Sequence, residues 1–234
     1  MEVCRQAEQH CGVEADKLYA AVRETTRSIW CQSPARPYCV KIGISSWEGL
    51  VARFDSDDPD LRVLREWAPH YRLDTWNGAL VKCGVDNIDL AARLADDFQR
   101  NRRKHHILYN DAVYCLEEFS KLYRLTLLAN GPPDLQWEKI DVTGIGKYFT
   151  EIMISGEVGY GKPDRLIYQL VLSRLGAKPE SIWNIGDSLE RDILGAKAIG
   201  IKTVWVKRYG MSRDESTIPD LEVSNLGQLV VTFR

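Results

Sequence analysis

The stretch Ile182-Trp183-Asn184-Ile185-Gly186-Asp187-Ser188-Leu189-Glu190-Arg191-Asp192 decides the fold. A short apolar run breaks off at a glycine and an aspartate, and a helix follows over about 190–199, closed by Gly200. Strand, polar turn and helix make half of a βαβ unit. The same pattern recurs on both sides. Upstream, residues 124–128 read as a strand that stops at Asn130-Gly131-Pro132-Pro133, behind a helix over 111–122. Ile152-Met153-Ile154 is a second strand, followed by a helix over about 164–175 that Gly176 closes. Downstream, Thr203-Val204-Trp205-Val206 is a fourth. Short apolar strands alternating with helices predict an α/β fold whose parallel sheet is covered on both faces, with ligands at the strands' carboxyl ends.

Before residue 109 the pattern is different. Val3, Ala7 and Cys11, then Leu18, Ala21 and Val22, fall at helical spacing on either side of a break at Gly12. Residues 33–47, with Ser33, Pro34, Pro37, Gly43, Ser45 and Ser46, form a breaker-rich stretch between helical segments. The loop Asp55-Ser56-Asp57-Asp58-Pro59 precedes a helix starting near Asp60, and another helix covers about 89–105. Two domains are expected: a helical one over 1–108 and an α/β one over 109–234.

Composition limits the function classes. With 31 Lys and Arg against 33 Asp and Glu, the formal net charge is −2, and 44% of residues are hydrophobic. This is ordinary for a globular domain and excludes a disordered chain. It supplies no overall attraction to nucleic acid or to an anionic membrane, so neither is an expected partner. Arg5, Glu8 and Glu14 interrupt the amino terminus where a signal peptide needs an apolar run, and no segment approaches the ~20 apolar residues of a membrane span. A cytoplasmic location follows as the expectation. The six cysteines form no CxxC pair and have no histidine at ligand spacing, which reads as reduced thiols rather than a zinc site.

Unusual polar residues collect at three strand ends. The first carries Ala129-Asn130-Gly131, where glycine allows a sharp turn. The second carries Gly156-Glu157-Val158-Gly159-Tyr160-Gly161-Lys162-Pro163, close to the phosphate-binding GxxxxGK[ST]. Pro163 stands where a hydroxyl must bind magnesium, so that match fails and a single lysine at the start of a helix remains. At the third, Asp187 emerges from an apolar strand and Asp192 follows five residues later, an arrangement suited to a hard divalent ion.

GYGKPD at 159–164 followed by GDSLERD at 186–192 resembles the haloacid dehalogenase (HAD) superfamily of phosphatases and related hydrolases, over about 109–210. The resemblance implies a Rossmann-like parallel sheet as the core, with residues 1–108 as an α-helical cap domain. It implies catalytic roles for Lys162, Asp187 and Asp192, phosphate binding by Asn130, Gly131 and Lys162, and Mg²⁺ held by Asp187, Ser188 and Asp192. The implied substrate is a small phosphate monoester. Two departures stand out. Ala129 occupies the place of a phosphate-binding hydroxyl, and the family's first strand, ending in a nucleophilic DxD, is missing from this chain. Phe54-Asp55-Ser56-Asp57-Asp58-Pro59 is the nearest imitation, and it reads as an acidic loop capping the next helix. Loss of a central strand would leave its two neighbours unpaired or force them together. The expectation is an upstream segment of roughly 20 to 30 residues carrying the nucleophile; a chain truly starting at Met1 would be inactive, a non-catalytic member binding a ligand or partner.

The run Arg100, Arg102, Arg103, Lys104, His105 and His106 ends a helix with cations that suit its dipole, and reads as a solvated face. Trp30, Trp47, Trp67 and Trp76 read mainly as core.

Overall fold

Glycine and proline set the helix boundaries of the amino-terminal half in a computed structural model, which describes residues 1–208 and 218–233. α1 (Glu2–Cys11) stops where Gly12 turns left-handed at φ 70°, and α2 (Ala15–Trp30) follows. α3 (Arg36–Ile42) has Pro37 in its first turn, where no N–H is needed, and ends at Gly43 with φ 75°. The breaker-rich stretch therefore brackets a short helix that its composition conceals. In α4 (Ser46–Gly49) the Ser45 hydroxyl accepts from the Glu48 N–H at 3.2 Å, and the Glu48 carboxylate accepts from the Ser45 N–H at 2.9 Å. Asp58 caps α5 (Pro59–Lys82) by accepting from the N–H groups of Asp60 and Leu61, so the acidic loop does the expected job. Asn87 caps α6 (Ile88–Lys104).

The chain clusters into two compact units. The first comprises Met1–His106 and Gly131–Lys139; the second comprises Ile107–Asn130 and Ile140–Arg234. In the first unit one apolar cluster gathers Leu18, Val22, Trp76, Leu80 and Leu94, and another gathers Trp30, Ile42, Leu50, Phe54, Leu64 and Tyr71. Trp30 and Trp76 are buried, while Trp47 and Trp67 are half-buried. Gly49 is pressed against Trp30: a Cβ there would lie 2.3 Å from the indole. The basic run is only partly a solvated face, because Arg103 donates to the Val51 carbonyl at 2.8 Å.

The second unit carries the strands. Along the chain come α7 (Ala112–Ser120), β1 (Thr126–Ala129), α8 (Pro133–Thr143, whose residues to Lys139 belong to the first unit), β2 (Glu151–Ile154) and α9 (Ser155–Val158). Next are α10 (Arg165–Leu175), β3 (Trp183–Gly186), a π-helical turn over Leu189–Leu194 that continues into α11 (Gly195–Lys197), β4 (Lys202–Val206), β5 (Leu221–Val223) and α12 (Leu226–Thr232). Every pairing is parallel, as the alternation of strand and helix requires, but the described strands form two sheets, β1-β2 and β3-β4-β5. Leu127 stands opposite Ile152, and Ile185 opposite Val204. Among the described strands, β1 and β3 are each paired on one side. The consequence shows in burial. β4, paired on both sides, is buried from Thr203 to Val206, whereas β1 is half-buried throughout and Ile185 of β3 is 38% exposed. Two apolar clusters pack this unit, Phe119, Val204, Val206 and Leu229 in one, and Met153, Ile167, Tyr168, Ala196 and Ile201 in the other.

α8, β5 and α12 also have no counterpart in the sequence reading. Pro132-Pro133 looks like a stop signal, yet Pro133 is the first residue of α8, a position that tolerates proline. β5 is three residues long, and α12 follows it directly. Residues 209 and 210, at the far end of the family resemblance, lie outside the described residues. No helix among the described residues is long and apolar enough to cross a membrane. All six cysteines are free, and burial raises the Cys39 and Cys115 thiols to about 11.

Two aspartates fasten the second unit. Asp111 accepts from the Leu226 N–H and pairs with Arg208 at 3.1 Å. Asp220 accepts from the Thr203 hydroxyl at 2.7 Å and the Thr203 N–H at 2.8 Å. Chiefly through the Thr203 hydroxyl, and against some desolvation, the Asp220 carboxyl is held below the usual carboxylate range. A group whose pKa is lower folded than unfolded stabilises at neutral pH and loses that contribution as pH falls through the folded value. Asp220→Asn is therefore expected to cost about 1 kcal/mol at pH 7, with the gap to the parent closing below about pH 4, as read by urea unfolding at several pH values. In the first unit, Gly49→Ala is expected to cost about 1–3 kcal/mol in the same assay, because the Trp30 ring has to move.

Candidate active site

The carboxyl ends of β1 and β3 and the loop before α10 bring five of the sequence-predicted residues together in the second unit. Asn130 follows β1 directly. Its side-chain amide donates to the Lys162 carbonyl and accepts from the Lys162 N–H, both at 2.8 Å. The Lys162 amine lies 2.7 Å from Asp192 Oδ1, with the two side chains 16% and 8% exposed. Asp192 Oδ2 accepts from the Ser188 N–H at 3.0 Å. Both carboxylate oxygens of Asp192 are therefore engaged by the protein.

Asp192 reaches this place because its surroundings are cleared for it. A Cβ on Gly186 would lie 2.3 Å from Asp192 Cγ, so only glycine ends β3 without displacing the carboxylate. Its carbonyl accepts from Asn184 Nδ2 at 3.0 Å and from the Tyr168 hydroxyl at 3.3 Å, which also donates to the Arg191 carbonyl at 2.6 Å. These bonds fall on the π-helical turn, whose wider ladder departs from the ordinary helical pattern. Burial, and then the charge of Asp192, raises the Tyr168 phenol well above its usual range. Gly195 lets α10 approach: a Cβ there would meet Tyr168 at 2.7 Å and the Pro163 backbone at 2.9 Å.

Asp187 is different. Its carboxylate is exposed, while its carbonyl accepts from the Trp205 indole N–H at 2.9 Å, pinning the main chain to β4. The Ser188 hydroxyl accepts from the Arg191 N–H at 3.1 Å and so serves as a helix cap. Gly131 belongs to the first unit, where at φ 126° it packs against Gln136 and Glu48, and a Cβ would lie 2.5 Å from Gln136 Nε2. Sequence reading missed Asn184, Tyr168 and Gly195. Asn184 left one signal, a lone polar residue inside an apolar strand; Tyr168 matched the apolar spacing of α10 and read as core.

Magnesium takes hard oxygen ligands and keeps several waters, so one or two carboxylates plus substrate oxygens suffice. The exposed Asp187 fits as one such ligand. Asp192 already accepts from Lys162 and from the Ser188 N–H, one on each oxygen. No group of three or more His, Cys, Asp or Glu side chains among the described residues is arranged to hold a metal.

The arrangement has relatives. The profile of haloacid dehalogenase-like hydrolases matches residues 49–200. The chain is 34% identical over 218 residues to a phosphoserine phosphatase of Thermus thermophilus, an alignment covering 93% of this chain and 86% of the relative. It is 35% identical over 162 residues to N-acylneuraminate-9-phosphatase of Mus musculus, covering 68% of this chain and 65% of that protein. Among solved structures, the putative HAD-hydrolase YfnB of Bacillus subtilis, bound to magnesium, superimposes with a TM-score of 0.61 at 20% identity over 92% of both chains. L-2-haloacid dehalogenase of Xanthobacter autotrophicus gives 0.61 at 19% identity, over 100% of this chain and 92% of that one. These two likenesses are of fold. Together with the ends of β1 and β3, the match over 49–200 places the protein: the chain belongs to the haloacid dehalogenase-like hydrolases.

Proposed function

We propose that the protein is a magnesium-dependent phosphatase of small phosphate monoesters, acting in the cytoplasm. The observation that carries this reading is the Lys162 amine, held by Asp192 at 2.7 Å. The names of the relatives, a phosphoserine phosphatase and an N-acylneuraminate-9-phosphatase, support phosphoryl chemistry over dehalogenation. The helical first unit takes the part of the cap.

An ammonium has three donors. Asp192 takes one, which holds Lys162 in place and leaves the others for phosphoryl oxygens, so the cation is aimed before substrate arrives. Asp187 would hold Mg²⁺, which would supply neutralisation of phosphoryl charge when bound. Among the residues assigned to phosphate, Lys162 has its side chain in position, with Asn130 and Gly131 on the turn after β1. Ala129 leaves that turn without a hydroxyl contact. The reading also needs a nucleophilic carboxylate. A second reading, a non-catalytic member that binds a phosphorylated ligand or a protein partner, is favoured by Ala129 and by the engagement of both Asp192 oxygens.

The test is turnover of a panel of small phosphate monoesters, phosphoserine and phosphorylated sugar acids included, by the protein purified from its natural gene and by residues 1–234 alone. Turnover that EDTA abolishes is the expected result for the natural product, whereas dehalogenation would survive EDTA. Binding of Mg²⁺ and inorganic phosphate with no turnover of any ester would replace the first reading with the second. In the active protein, Lys162→Ala and Asp187→Asn are each expected to lower kcat by roughly 10²- to 10³-fold.

A further inference from the structure

We infer that Asn130 is a positioning residue that holds the backbone of Lys162, rather than a contact to the phosphate; the inference rests on the phosphatase reading only for its kinetic consequence. Lys162 lies between α9 and α10, outside any strand ladder, and the residue after it is a proline without an N–H. Its own N–H and carbonyl are partly buried groups that need partners. The Asn130 side chain supplies both, each at 2.8 Å, much as a neighbouring strand would. An amide is suited to this because it carries a donor and an acceptor on one plane.

The orientation of the amide follows from the pairing: Oδ1 faces the Lys162 N–H and Nδ2 faces its carbonyl. With the main chain held at both groups, the side chain leaves in one direction and the amine meets Asp192 at 2.7 Å. Aspartate, nearly the same size, cannot replace it. One carboxylate oxygen would still accept from the N–H, and the other would face the Lys162 carbonyl, acceptor against acceptor. A role that depended on bulk would survive Asn130→Asp, and a role that depends on the donor would not.

The experiment is trace acetylation with acetic anhydride, read lysine by lysine by peptide mass spectrometry across a pH series, on the parent, Asn130→Ala and Asn130→Asp. In the parent, Lys162 is expected to label more slowly than surface lysines such as Lys17. In both variants its rate is expected to rise roughly tenfold while the other lysines stay unchanged, the scale set by losing one or two hydrogen bonds. Unchanged labelling of Lys162 in both variants would overturn the inference. Amide hydrogen exchange on the parent tests it without any variant, because the Lys162 N–H is expected to be protected, and fast exchange there would also overturn it. Where the parent turns over an ester, Asn130→Asp is expected to lower kcat with KM little changed; a rise in KM alone would mean that Asn130 touches substrate and the inference is wrong. A parent with no turnover would count against the phosphatase reading and leave the labelling result to decide the role of Asn130.

Discussion

The ion pair between Lys162 and Asp192 is the constraint around which the second unit is arranged. A carboxylate with 8% of its side chain exposed loses most of its hydration, a cost of several kcal/mol that only a close cation and well-placed donors offset. Such a pair adds little net stability, but neither partner tolerates the loss of the other. The neighbouring sequence choices follow from this. Gly186 leaves room for the carboxylate, Ser188 donates its N–H to the second oxygen, and Asn184 and Tyr168 hold the main chain of Asp192. Gly195 lets α10 approach closely enough for Tyr168 to reach. Five residues thus serve one ion pair.

The same pair connects what the backbone leaves separate. Among the described residues, β1 and β3 share no ladder. From the end of β1 to β3 there runs instead a chain of polar contacts: the Asn130 amide, the Lys162 backbone and amine, the Asp192 carboxylate and carbonyl, and the Asn184 amide. Two asparagine side chains do here what strand hydrogen bonds do elsewhere in a parallel sheet. They differ from a ladder in one respect, since each depends on a single side chain and has no neighbouring rung to share the load.

Much of this was legible in the sequence, for identifiable reasons. Apolar runs ending in Asn130-Gly131 or Gly186-Asp187 mark strands because the change from buried to polar is abrupt, and Gly12 and Gly176 mark helix ends because they take left-handed conformations. Lys162, Asp187 and Asp192 stood out because charge beside an apolar strand end needs a reason. Other features were not legible. Local pattern does not say whether a proline starts a helix or ends one, so α8 was missed. That the described strands form two sheets was not legible either, because pairing depends on what lies beside a strand rather than on the strand itself. Gly131 read as part of a phosphate turn, yet its tight neighbours are Glu48, more than eighty residues earlier in the chain, and Gln136, a contact no spacing rule encodes.

The charges of the site also say what it needs in order to take a phosphate ester. Lys162 and Asp192 cancel, and Asp187 remains as an exposed negative group. By charge alone, a dianionic ester is repelled. Lys162 still has donors to offer, but its charge is already balanced by Asp192, so it orients a phosphoryl group better than it attracts one. On the phosphatase reading, the attraction therefore has to come from a cation at Asp187, and a divalent one reverses the sign of the site where a monovalent one would only neutralise it. On that reading the site would need the cation because the charge of Asp192 is already balanced by Lys162.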